Sequence, residues 1–110
     1  MIDWGKVSEL RDEIGAEDFA DVVELFLEEV QGTIDRLRVG VAPAALEGDL
    51  HFLKGSALNL GFRQFSNLCQ KGESAAAEGR QDEIDIDPIL ASFDASKAEF
   101  LAELEAHLAA

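Results

Sequence analysis

Tyrosine is absent from this chain of 110 residues, and cysteine, methionine and tryptophan each occur once. A single cysteine excludes an internal disulfide and a thiolate zinc cluster. Cys69 stands in LCQKG, inside a helical pattern, and reads as a small buried residue rather than a catalytic thiol. With only two prolines, there are few obligatory interruptions to helix. No apolar run approaches the ~20 residues that cross a bilayer. The opening MIDWGKVSEL lacks the basic-then-apolar pattern of a secretory signal, so a cytoplasmic protein is expected. Basic residues are scarce, 9 against 23 acidic ones, for a net charge of −14. That balance argues against nucleic acid, whose binding needs clustered Lys and Arg. It also argues against anionic membrane surfaces. It leaves room for a partner with a basic or mixed face, or for acidity that only supports solubility. No glycine-rich nucleotide loop is present, so the chain is not expected to bind ATP.

What is present is helical. Hydrophobic residues make up 47% of the chain, enough for one core, and alanine, leucine and glutamate favour helix. Trp4, Val7, Leu10 and Ile14 recur at helical spacing from Asp3 to about Ile14, before Gly15. A second helix runs from about Glu17 to Val39 on Phe19, Val22, Val23, Phe26, Leu27, Val30, Ile34 and Leu37, with acids on its outer face. Pro43 opens a third helix, which Gly61 stops after Leu60. The fourth spans about Arg63 to Glu78, with Phe65, Leu68, Cys69, Gly72 and Ala76 inward. After the polar GRQDEIDID, Pro88 starts a last helix whose stripe is Ile89, Leu90, Phe93, Phe100, Leu101, Leu104 and Leu108. Nothing alternates with period two. The expected fold is all-α: one domain over residues 1–110, an antiparallel four-helix bundle with an additional short N-terminal helix anchored by Trp4.

The third helix carries the chemistry. Leu46, Leu50, Leu53, Ala57 and Leu60 fall within roughly 40° of one line at 100° per residue. His51 then lies roughly 140° from that core line, Gly55 roughly 180°, Gly48 roughly 200° and Lys54 roughly 80°. So His51 points to solvent, with Lys54 beside it one turn on. A glycine within a helix costs about 1 kcal/mol relative to alanine. Gly48 and Gly55 on one outer face suggest close approach by another molecule. Imidazole is a competent nucleophile. A phosphoryl group on His51 would bring charge that Lys54, within reach at i+3, can meet as a compact cation. Gly55 removes the side chain that would obstruct a phosphodonor. Ser56 lies toward the other side and reads as a packing residue. Leu58 and Phe62 fall near the histidine side, where they form either a partly exposed docking patch or ordinary core.

The stretch HFLKGSALNLG, from His51 to Gly61, resembles the signature of the histidine phosphotransfer (Hpt) domain family. The resemblance extends downstream to LCQKGE, ending at Glu73, and upstream to GAEDFADVVELFLEE. It implies a four-helix bundle that exchanges phosphoryl groups with aspartates on receiver domains of two-component systems, and possible contact with a sensor histidine kinase. On that resemblance, His51 carries the phosphoryl group, Lys54 neutralises it and Gly55 permits docking. Magnesium and the aspartate would belong to the receiver, so no cofactor of the chain's own is expected, and the chain is a carrier rather than an enzyme. A monomer is expected, since one reactive histidine needs no dimer. The sequence departs from the family at Phe52, where a smaller polar residue is common. It departs also at Leu50, where alanine is common, and at Gly72, where bulkier apolar residues are usual.

Three other readings compete. Glu47 and His51, four apart, would supply two metal ligands, but a stable zinc site needs three or four, and His107 is distant in sequence. A non-phosphorylated helical module would bind and inhibit a receiver or kinase, yet it would need neither His51 nor Lys54. A hydrolase lacks a serine at an elbow motif.

Overall fold

The computed structural model describes residues 2–109. Helix α1 spans Trp4–Ile14 and is capped by Asp3, whose carboxylate accepts from the Lys6 amide at 3.2 Å. Helix α2 spans Ala16–Val39, α3 Pro43–Leu60, α4 Arg63–Ala77 and α5 Ile86–Ala109, with a single 3₁₀ turn at Gln81–Glu83. Among the described residues there is no strand, only an isolated bridge between Ile2 and Phe62. No described helix is long and apolar enough to cross a membrane.

Around the bundle α2 neighbours α3, α3 neighbours α4 and α4 neighbours α5, with α3 and α4 packed most extensively and α2 and α5 least. Helix α1 lies against α2 and α3. The expected stripe of α3 is entirely buried, as are Phe19, Val23, Leu27, Val30, Ile34 and Leu37 of α2. Burial of that apolar face is the main force that orders the helices, each buried large side chain contributing about 1.5–3 kcal/mol. One end of the core is aromatic. Phe62 meets Phe100 edge-on at 5.5 Å and Phe93 at 6.4 Å, and Phe65 meets Phe93 at 5.4 Å. Trp4 stacks on Phe100 at 5.6 Å and on His107 at 3.9 Å, which anchors α1 to the end of the bundle.

Three expectations are corrected. Phe62, placed by helical spacing at a partly exposed docking patch, is only 1% exposed. The α3 spiral ends before it: Gly61 is left-handed (φ 75°) and the Phe62 amide reaches back to the Ala57 carbonyl at 2.9 Å. This six-to-one closure turns the residue after the glycine inward as an apolar plug. Second, α5 begins at Ile86, not Pro88, because the Asp85 carboxylate accepts from the Asp87 amide at 3.2 Å. Pro88 then sits within the first turn, where its missing N–H has no helical partner to lose. Third, Leu101, expected inward, is 53% exposed, because α5 stands off from α2 there; the fully buried Ser96 was not expected in the core. The side chain of Leu108, also expected inward, lies outside the described residues.

Two glycines fix the α3–α4 packing. A Cβ on Gly61 would stand 2.5 Å from the Asp3 carbonyl oxygen, and the Asp3 amide donates to the Gly61 carbonyl at 2.7 Å. A Cβ on Gly72 would stand 2.8 Å from Leu50 Cδ1. The two departures from the family pattern therefore face each other: the larger residue on α3 fills the space left by the smaller one on α4.

Gly61→Ala is expected to lower stability by about 2 kcal/mol or more in urea unfolding, about half from left-handed backbone strain and the rest from the clash with Asp3. An unchanged midpoint would show that the turn relaxes freely. Gly72→Leu alone should overpack the interface by about 1–3 kcal/mol. Combined with Leu50→Ala it should cost less than the separate losses added together, by roughly 0.5–3 kcal/mol in a double-mutant cycle; strict additivity would refute the complementarity.

Candidate functional site

Because Leu50, Leu53 and Ala57 turn α3 inward, His51 is thrown outward, with 69% of its side chain exposed. Lys54 lies at the boundary of that face, with 21% exposed. Gly48 and Gly55 are exposed, and nothing lies within 4 Å of a Cβ added to either. No packing within the chain calls for glycine at these two places, and alanine would favour the helix by about 1 kcal/mol. Phe52 and Leu58 are exposed on the same helix, while Ser56 is buried.

Helix α4 completes the site with a polar stripe beside its buried one. Phe65, Cys69, Gly72 and Ala76 face the core. Gln70, Glu73 and Ser74 follow at i, i+3 and i+4 and line up along α3. Glu73 is the hub. Its Oε2 lies 2.8 Å from His51 Nδ1 and its Oε1 lies 2.7 Å from Lys54 Nζ. Lys54 Nζ also donates to Gln70 Oε1 at 3.0 Å, and Gln70 Nε2 donates to Ser74 Oγ at 3.0 Å. The hydrogen bond from Lys54 is the main reason the Glu73 carboxyl stays below the usual carboxylate range; partial burial opposes it, and the hydrogen bond from His51 adds a lesser lowering.

That ionisation decides the tautomer of the ring. A carboxylate only accepts, so the Nδ1 that faces it must carry the proton. In the neutral ring Nε2 is then left with its lone pair, on an exposed side chain. Behind the site Cys69 is different in kind: burial, then the Glu73 charge, pushes its thiol up to about 12, so it stays protonated and inert.

The six residues picked out from sequence are thus divided. His51, Lys54, Gly55, Gly48 and Leu58 share the exposed side of α3, and Phe62 does not. In the sequence Glu73 marks only the end of a matching stretch, and Gln70 carries no signal of its own. Their i, i+3 spacing beside the apolar stripe of α4 marks a polar edge, but which α3 residues that edge meets is set by tertiary register. His107 lies against Trp4. Among the described residues no three His, Cys, Asp or Glu side chains come together as a set that could hold a metal ion.

A family model, Hpt domain, matches residues 21–110. The chain belongs to the Hpt domain family. No curated protein and no solved structure matches it. Hpt domains serve histidine phosphotransfer in two-component signalling, as phosphocarriers rather than enzymes. Helix α1 precedes the matched range.

Glu73 also makes the site pH-sensitive in a defined direction. A carboxyl held below its unfolded value contributes stability that is complete above the unfolded value, about 4.3 for glutamate, and disappears as the pH falls through the folded one. Between pH 5 and pH 3 the wild-type Hpt domain should therefore lose more urea stability than Glu73→Gln. Equal losses would mean that the carboxylate contacts contribute nothing. In ¹⁵N spectra of the neutral ring, His51 should carry its proton on Nδ1, and Glu73→Ala should remove that bias.

Proposed function

We propose that this Hpt domain carries a phosphoryl group on Nε2 of His51, taken from the aspartyl phosphate of a receiver domain or from a sensor kinase, and passes it to another receiver. The observation that supports this most directly is the division of labour across the imidazole: Nδ1 bound to Glu73, Nε2 bare and exposed. In the transfer, the Nε2 lone pair forms the N–P bond while the P–O bond to the receiver aspartate breaks, and that carboxylate leaves with the electron pair. The ring retains its Nδ1 proton and becomes cationic, which the Glu73 carboxylate opposite stabilises. The same charge keeps the ring a good leaving group for the return step, so the site favours reversible exchange over storage.

Lys54 is 2.7 Å from Glu73 and one helical turn from His51, so its ammonium can turn from carboxylate to phosphoryl oxygens without backbone movement. Phosphoryl transfer passes through a loose, in-line transition state in which positioning and charge compensation dominate. Gly55 and Gly48 give a receiver open approach to the α3 face, with Leu58 and Phe52 as apolar contacts. Magnesium would come with the receiver. The reading is of a monomeric cytoplasmic carrier whose contacts are transient and modest in area.

Incubation with a phosphorylated receiver should leave an acid-labile, base-stable label on the wild-type protein and none on His51→Gln. Lys54→Ala should slow uptake by about tenfold or more, as expected for loss of one charge-stabilising group at an exposed site. Receivers that bind without labelling His51 would replace the carrier with a non-phosphorylated inhibitory module.

A further inference from the structure

Helices α2 and α5 are neighbours that do not close on each other. Between Ala20–Gln31 of α2 and Lys97–Leu104 of α5 they leave a groove of about 410 Å³. Its floor is apolar, made by Ala20, Val23, Leu27, Leu101 and Leu104. Leu101 is more than half exposed there. At 1.5 Å per residue the α2 wall is roughly 16 Å long, about three helical turns. The lip on α2 is acidic: Glu24 and Glu28 line the groove, and Asp21 continues the same surface around the exposed Leu25. No ion pair engages Glu24 or Glu28 among the described residues. Glu105, four residues after Leu101, follows on the α5 side by helical spacing. Lys97, the one cation of the lining, is tied across the end of the groove by donating to Gln31 Oε1 at 2.8 Å.

An apolar trough of this length between two helices fits a third helix, entered by side chains at i, i+3 or i+4, and i+7. The acidic lip selects the charge of that helix. A second copy of the chain is a poor occupant, because it would bring the same lip and a net charge of −14 against its like. We propose that the α2–α5 groove receives a basic amphipathic helix of a partner protein. The groove lies across the bundle from the α3–α4 face that carries His51, so a partner held there leaves the imidazole free. This reading does not rest on phosphoryl transfer at His51 and survives or fails without it.

The test uses the full chain, ¹⁵N-labelled, and a synthetic helix of about 18 residues with leucine at i, i+3, i+4 and i+7 and lysine elsewhere. One control has the same composition with the leucines spread around the helix; another replaces lysine by glutamate. The basic amphipathic peptide should shift amides of α2 and α5 and leave those of His51 and Glu73 in place. Both controls should bind at least tenfold more weakly. Leu101→Asp, at an exposed position, and the pair Glu24→Lys with Glu28→Lys should each weaken binding at least tenfold while circular dichroism stays unchanged. Equal binding of the spread-leucine control would reduce the effect to bulk charge and overturn the proposal. So would shifts centred on α3 and α4, or self-association of the free chain that Leu101→Asp abolishes.

Discussion

The antiparallel register of α3 and α4 is the constraint on which the rest of the molecule depends. It is set at Gly61, where a left-handed residue pressed against the Asp3 backbone reverses the chain. From that point the two helices run back along each other, and three pairs are placed almost symmetrically about the turn: Leu50 with Gly72, His51 with Glu73, and Lys54 with Gln70. The first pair is apolar and tight, and the other two are polar and lie at the surface. A slip of one residue would rotate Glu73 away from the imidazole and push Leu50 against a side chain instead of a glycine. Packing and chemistry are therefore specified by one contact line, with the core side of each helix fixing where its solvent side falls.

The site gains its character from what it compensates. Glu73 sits between a cation and a ring N–H, so its charge is neutralised on one oxygen and put to use on the other. The Glu73–Lys54 pair is half-buried, and ion pairs near a protein surface contribute only modestly to stability. Its value here is in orientation: the carboxylate selects which imidazole nitrogen is bare. Lys54 has a second anchor in Gln70, itself braced by Ser74, so the ammonium is held near the ring rather than sweeping through solvent.

Much of this could be read in the residue order, and the limits have physical causes. The α3 stripe is so regular that its angular geometry alone sends His51 outward and Ser56 inward. The signature from His51 to Gly61 pointed to the family that residues 21–110 match. Helical spacing misplaces Phe62 because it continues the spiral of α3 through Gly61, whose left-handed backbone ends it. Leu101 escapes the same logic because an amphipathic stripe says which side of a helix is apolar, not whether a neighbour stands close enough to cover it. Pro88 reads as a helix start, although the Asp85 cap three residues before the proline sets it. The pairing of Glu73 with His51 and Lys54 joins positions on two helices, and no single-helix periodicity contains it.

The stacking of Trp4 between Phe100 and His107 gives the molecule an optical property as well as an anchor. Trp4 is the only tryptophan and there is no tyrosine, so near-ultraviolet emission comes from a single place. That place is the junction of α1 with the far end of α5, at the opposite end of the aromatic cluster from the polar line of Glu73. The intrinsic fluorescence is a built-in gauge of whether the N-terminal helix is docked, read without a dye and without touching the imidazole.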